Sequence, residues 1–145
     1  MSESANVALV KRFYAIGDGL ATGDPSEMFT DDVQIFFPKF GIGHGMDAMM
    51  AIAHGRFEIF SRMLHHADEF KIIEQGDTVV VEGTTEGETV AGQTWDGRKT
   101  IPGHFCSVMD FRDGRISRMH VYLDPDFGNE DTARYPWHKQ GAASA

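Results

Sequence analysis

The sequence predicts an α+β fold: a cone-shaped, curved antiparallel sheet, mixed at most, packed on one long helix, with two further helices ahead of it. Three observations predict it. Apolar residues recur at helical spacing through the N-terminal part, and after Leu64 the rhythm switches from period 3.6 to period 2. The later connections, Gln75-Gly76-Asp77, Trp95-Asp96-Gly97 and Arg112-Asp113-Gly114, are too short for crossover helices, so neighbouring strands pair antiparallel. The chain has 145 residues, 41% of them hydrophobic, which is material for one domain with a sizeable core.

The first helix runs over residues 4–20, carried by Leu9, Phe13, Ile16 and Leu20. Asp24-Pro25-Ser26-Glu27 then opens a short second helix: Asp24 accepts from free backbone N–H groups, Pro25 suits the first turn, and Glu27 reaches back as in a capping box. Asp31-Asp32 leads into a strand, Val33 to Phe37, limited by Pro38. Phe40 to Gly45 reads as a glycine loop. A helix over 46–64 follows, striped by Met49, Ile52, Ala53, Phe57, Phe60, Met63 and Leu64. Strands are expected at 67–74, 78–90, 98–111 and 115–123. The domain is read as 1–127. The polar tail, 128–145, has Tyr135-Pro136-Trp137 as its only anchor and is expected to be disordered over 141–145. One helical layer against one concave sheet leaves a hollow at the wide end, where a ligand would sit.

Charge excludes some partners. The formal net charge is −9 and Lys and Arg are nowhere clustered, so the counterion release that drives nucleic-acid binding has no footprint here. The same acidity disfavours anionic membrane surfaces. No stretch approaches the ~20 apolar residues of a membrane span, and the start lacks the basic and apolar regions of a secretory signal, so cytoplasm is the expected compartment. Cys106 is the single cysteine, which excludes an internal disulfide and a thiolate-rich zinc site.

Three stretches carry a family resemblance. Phe13-Tyr14-Ala15 is followed by Ala21-Thr22-Gly23-Asp24. Asp31-Asp32-Val33 leads into Phe37-Pro38. Phe111-Arg112-Asp113-Gly114-Arg115-Ile116 closes towards Tyr122-Leu123-Asp124. In this order and spacing, over residues 5–127, the chain resembles the SnoaL-like, nuclear-transport-factor-like superfamily, which includes the ketosteroid isomerases. The resemblance implies chemistry without a cofactor, as in SnoaL-like polyketide cyclases, limonene epoxide hydrolases and scytalone dehydratases, although some relatives are binding modules. It also exposes departures. The base of the ketosteroid isomerases falls at Phe37, their helix-borne tyrosine at Phe13, one residue short of Tyr14, and their protonated acid at Ser107 or Cys106. The limonene epoxide hydrolase residues fall near Gly83, Thr85 and Val121. Scytalone dehydratases place a histidine near His65-His66, but their second falls near Thr89.

Histidines lead the list of candidate acid–base groups, because imidazole titrates near neutrality without help. A three-residue hairpin loop with Gly114 left-handed would pair Phe111 with Arg115. It would put His104, Cys106, Arg118, His120, Tyr122 and Asp124 on one face and Phe105, Ser107, Met109, Met119, Val121 and Leu123 on the other. A two-residue turn would instead group His120, Tyr122 and Asp124 with Phe105 and Ser107. The first sorts polar from apolar, and it sends a His120–Asp124 pair outward. His104, after Pro102-Gly103, is able to lean inward under either register. Of His65-His66, alternation sends one inward, with His66 favoured. His54 and Glu58 are expected on a solvated face, and His44 and His138 at the surface. Tyr14 lies beside the first helix's buried stripe. Phe37, Phe57, Phe60, Phe105, Ser107, Met119 and Val121 are candidate pocket walls, with Lys39 at the mouth. Gly83, Thr85 and Gly87 suggest space on one side. The expected function is a cofactor-free, metal-free lyase, dehydratase, isomerase or cyclase for a small hydrophobic, aromatic or polycyclic compound, with a retro-aldol or water-eliminating step fitting the residue inventory best. One histidine would act as acid–base and Tyr14 or Ser107 would donate to an oxyanion. The alternative is a non-catalytic ligand-binding or dimerisation module. A homodimer through the outer sheet face at Tyr122 is expected.

Overall fold

The structure is a computed structural model that describes residues 2–136, so Trp137, His138 and residues 141–145 lie outside the described residues. Helix α1 spans Ala5–Gly17, with Ser4 accepting the Val7 N–H at its start. Strand β1 is Phe29–Phe37, β2 Gly41–His44, and helix α2 Gly45–Ile59. Then come β3 (Phe60–His65), β4 (Lys71–Gln75), β5 (Thr78–Thr89), β6 (Thr94–Asp96), β7 (His104–Arg112) and β8 (Arg115–Leu123). The sheet runs β2-β1-β8-β7-β5-β3, with β4 and β6 also paired to β5. It is mixed, because β1 lies parallel to β8 while the other pairs are antiparallel. Among the described residues no helix is long and apolar enough to cross a membrane.

The long strand β5 makes the curl. Its first half pairs with β4 and β7, and its second half with β3 and β6. The sheet therefore wraps around α1 and α2 instead of lying flat. The main core joins Val10 and Tyr14 of α1 to Val33 and Ile35 of β1, Val79 and Val81 of β5, and Met109, Ile116 and Met119 of the last hairpin. A smaller cluster, Phe60, Trp95 and Phe127, closes one end.

Several expectations change. Val10 and Tyr14 are the fully buried residues of α1, Leu9, Phe13 and Ile16 pack partly buried against the core as expected, and Leu20, beyond the helix end, is 70% exposed. The second helix is a single 3-10 turn, Pro25–Met28, whose Asp24 cap accepts from Ser26 N–H. Gly41–His44 is not loop but an edge strand on β1. The long helix stops at Ile59, and Phe60 is extended because its ring packs on Trp95 and Phe127, with centroids 5.3 and 4.7 Å away. That tertiary contact overrides a local sequence with no helix-stopping Gly or Pro. The strand expected over 98–111 is interrupted, because Gly97 and Gly103 bring a loop back on itself before β7 starts at His104. Of the expected anchor of the tail, Tyr135 is 59% exposed and Trp137 lies outside the described residues, while Phe127, just ahead of the tail, is buried.

Gly83 and Gly87 do not widen a pocket. Phe70 and Phe105 fill the space over Gly83, and the Trp95 ring lies over Gly87. A Cβ at Gly87 would sit 2.3 Å from the Arg62 carbonyl oxygen, which is backbone and has little room to yield. Gly87→Ala is therefore expected to destabilise by about 1–3 kcal/mol, measured as a lower midpoint in thermal unfolding.

Candidate active site

A cavity of about 280 Å³ lies between the concave sheet face and the two helices. Its walls are mainly apolar: Phe13 and Ile16 from α1, Met49 and Ile52 from α2, and Ile35, Phe37, Phe105, Met119 and Val121 from the sheet. Phe57, 63% exposed, stands on the solvent side, while Phe60 is buried in the wall. A few polar side chains interrupt this surface, and three of them, His65, Tyr14 and Ser107, belong to two linked pairs.

The first pair is His65 with Asp18. Asp18 follows the last residue of α1, where the chain turns away from the helix and points its carboxylate at β3. Its Oδ2 accepts the His65 backbone N–H at 3.0 Å and its Oδ1 lies 2.7 Å from His65 Nδ1. The Asp18 side chain is 1% exposed and that of His65 12%. A carboxylate accepts and does not donate, so the proton of the neutral imidazole sits on Nδ1 and Nε2 carries the lone pair. Among the described residues no hydrogen-bond partner takes that Nε2, and the ring lines the cavity. The second pair is Tyr14 with Ser107. The Tyr14 hydroxyl donates to Ser107 Oγ at 2.8 Å. Burial pushes the phenol far above its ordinary pKa, against the weaker opposing effect of the Ser107 bond, so Tyr14 stays a donor at all ordinary pH. With its oxygen occupied by that donor, Ser107 has its own O–H free to point elsewhere. The two pairs touch: the Tyr14 and His65 ring centroids are 4.7 Å apart, and Phe105 flanks both, at 5.7 and 5.3 Å.

Of the candidates read from the sequence, Tyr14, Phe37, Phe57, Phe60, Phe105, Ser107, Met119 and Val121 line this cavity. His104 is exposed at the start of β7 and borders both the cavity and an open groove on the outer face. Four candidates lie elsewhere. Lys39 is exposed in the turn between β1 and β2, with φ 73°, and does not line the cavity. Asp124 ends β8, exposed, accepting the Asp126 N–H at 2.9 Å. His66 points away from the cavity, because pairing of Met63 with Gly87 and His65 with Thr85 turns those two residues of β3 inward. Its ring is buried between Thr84 Oγ1, 2.7 Å from Nδ1, and Glu86 Oε2, 3.0 Å from Nε2. Asp96, held by Arg98 at a pKa of about 2, stands 3.8 Å from the same Nε2.

His120 is the fourth. It lies on the outer face, with Nε2 donating to Gln34 Oε1 at 2.8 Å and Nδ1 accepting from Arg118 at 2.9 Å. Burial first, then the Arg118 charge, lowers its pKa, with Asp110 opposing weakly. The unfolded chain therefore binds this proton more readily than the folded one below the ordinary histidine value of 6.5. Its contribution to stability is complete above that pH and is lost as pH falls from there towards the depressed folded value. His120→Gln is expected to flatten this part of the stability–pH curve, measured by denaturant unfolding between pH 7 and pH 5.

The hairpin that sorts these faces combines both readings. The turn has two residues, Asp113 and Gly114, with φ 52° and 77°, and pairs Arg112 with Arg115. One strand position later Ser117 bulges out, so that Asp110 pairs with Arg118 and Val108 with His120. A bulge shifts side-chain parity by one. His120 and Tyr122 consequently face outward with Cys106, while Met119 and Val121 face the cavity with Ser107.

Asp18 and His65 are the site residues missed as a pair. The signal for His65 was the doubled histidine. For Asp18 it was only a Gly-Asp-Gly break after α1.

A family model described as a SnoaL-like domain matches residues 10–119. No curated protein sequence matches the chain. Among solved structures, an NTF2-like protein of unknown function from Burkholderia pseudomallei K96243 is similar at 22% identity and TM-score 0.70, covering 91% of this chain and 97% of that one. A candidate SnoaL-like polyketide cyclase from Jannaschia sp. CCS1 is 20% identical with TM-score 0.68, over 100% and 98% of the two chains. TerC, co-crystallised with polyporic acid, is 24% identical with TM-score 0.65, over 83% and 92%. At these identities the structural likeness is one of fold.

Proposed function

Because the chain belongs to the SnoaL-like domain family, whose fold is that of cyclases and isomerases, we propose that it is a cofactor-free acid–base enzyme acting on a small hydrophobic, aromatic or polycyclic compound. The observation that carries this reading is the Asp18–His65 pair beside Tyr14–Ser107 on the wall of an otherwise apolar cavity. TerC, similar in fold, was co-crystallised with polyporic acid, which supports an organic compound as the ligand class.

The step these groups suit is removal of a proton next to a carbonyl. The C–H bond breaks, the proton passes to His65 Nε2, and the electron pair moves into the carbonyl to give an oxyanion. Ser107 O–H donates to that oxygen, and Tyr14, donating to Ser107 Oγ, polarises the serine further. His65 then returns the proton at another carbon or to a leaving oxygen, which yields isomerisation or elimination. Asp18 stabilises the imidazolium formed between the two transfers.

The test needs no natural substrate. 2-Tetralone is apolar, bicyclic and enolisable, and its α-protons exchange in D2O at a rate that proton NMR follows. The protein is expected to accelerate exchange in a saturable manner, and Ser107→Ala or Tyr14→Phe to reduce it by about 10²-fold. Saturable binding with no acceleration would instead favour a non-catalytic ligand-binding module.

A further inference from the structure

The cavity wall carries an unexplained charge. Among the described residues that line it there is no carboxylate and no lysine, although the chain holds 22 Asp and Glu residues and a net charge of −9. Arg56 of α2 is the one permanently charged side chain on the wall. It is half-buried and held in place from two sides. Its Nη2 donates to the Gly17 carbonyl oxygen at 2.8 Å, and its guanidinium carbon stands 4.8 Å from the centroid of the Phe57 ring. Asp18, the acidic group next to Gly17, is turned towards His65 and is 1% exposed, so it does not neutralise the guanidinium from the cavity side. A guanidinium has five N–H donors in a planar fork, and one of them is committed to Gly17.

We propose that Arg56 is a specificity residue, and that the compound this cavity accepts carries an anionic oxygen group, such as a carboxylate or an ionised acidic hydroxyl, held by the free donors of Arg56 near the end of α1. The argument is one of local field. An anion approaching a chain of this net charge is repelled on average, and it enters only where the low-dielectric wall offers a cation and no competing carboxylate. The apolar remainder of the wall then takes the hydrocarbon body, and the two-point hold fixes which carbon faces His65. This inference rests on the catalytic reading only for the last clause; the binding preference stands or falls by itself.

Two probes of equal size and shape separate charge from apolar fit: 2-naphthoate, an anion, and 2-naphthamide, its neutral counterpart. Calorimetric titration of the wild-type protein is expected to show naphthoate binding about tenfold tighter or more, the effect of one charge-assisted hydrogen bond. Arg56→Gln removes the charge, and its amide, two bonds shorter than the guanidinium, gives up the Gly17 bond as well. It is expected to abolish the preference while leaving naphthamide affinity unchanged, with a loss of about 1 kcal/mol in stability for the one hydrogen bond. Equal affinities in the wild type, or an equal loss of both ligands in Arg56→Gln, would overturn the proposal. If neither probe binds a protein whose circular dichroism is native, the cavity is no ligand site and the inference falls with it. If naphthoate is preferred but 2-tetralone exchange is not accelerated, the charge assignment stands and the catalytic reading fails alone.

Discussion

His65→Gln is expected to reduce protein-catalysed exchange of 2-tetralone by about 10²–10⁴-fold, the contribution of a positioned acid–base group. Glutamine retains a polar side chain of similar reach, so the fold and cavity shape persist, but its amide takes no proton at any working pH. His66→Gln supplies the contrast. Its ring bridges Thr84 and Glu86 outside the cavity, so the expected effect is on stability, about 1–3 kcal/mol for leaving a buried partner unpaired, with exchange per folded molecule preserved. Loss of exchange in His66→Gln with retention in His65→Gln would reverse the assignment and move the chemistry out of the cavity.

That contrast turns on where one helix ends, and it marks how far the sequence was legible. Period-2 alternation is strong over residues 78–90, and 115–123 is bounded by short polar turns, so the curved sheet and its face-sorting could be read. The face-sorting was reached by a different turn from the one favoured: Asp113-Gly114 is a two-residue turn, and the Ser117 bulge restores the parity a three-residue loop would have given. The end of α2 could not be read. Met63 and Leu64 continue a helical stripe in one dimension, and contacts far along the chain, the pairing with β5 and the packing of Phe60 on Trp95 and Phe127, make 60–65 a strand. With that strand in place, Met63 and His65 face inward opposite Gly87 and Thr85, and His66 is excluded. Asp18 was invisible for a related reason. Its partner is 47 residues away, and no local pattern announces a carboxylate aimed at a backbone N–H in another element.

Asp18→Asn tests whether that carboxylate acts through the histidine or merely holds the loop. Asparagine is isosteric and still offers one oxygen to the His65 backbone N–H, so the turn after α1 has a partner. The atom facing Nδ1, however, becomes an NH2 donor, and a donor cannot accept the Nδ1 proton. The favoured tautomer shifts to Nε2–H, which takes the lone pair away from the cavity and leaves no base there. Exchange should fall by about 10²–10⁴-fold while 2-naphthamide binds as in the wild type, and the nitrogen shifts of His65 in 15N NMR should report the exchanged proton. A purely structural Asp18 would give the opposite pattern: weaker naphthamide binding and a lower thermal midpoint, with the tautomer unchanged and exchange falling only as far as occupancy falls. Because the same carboxylate makes both bonds, only the tautomer readout distinguishes a group that orients the base from one that ties α1 to β3.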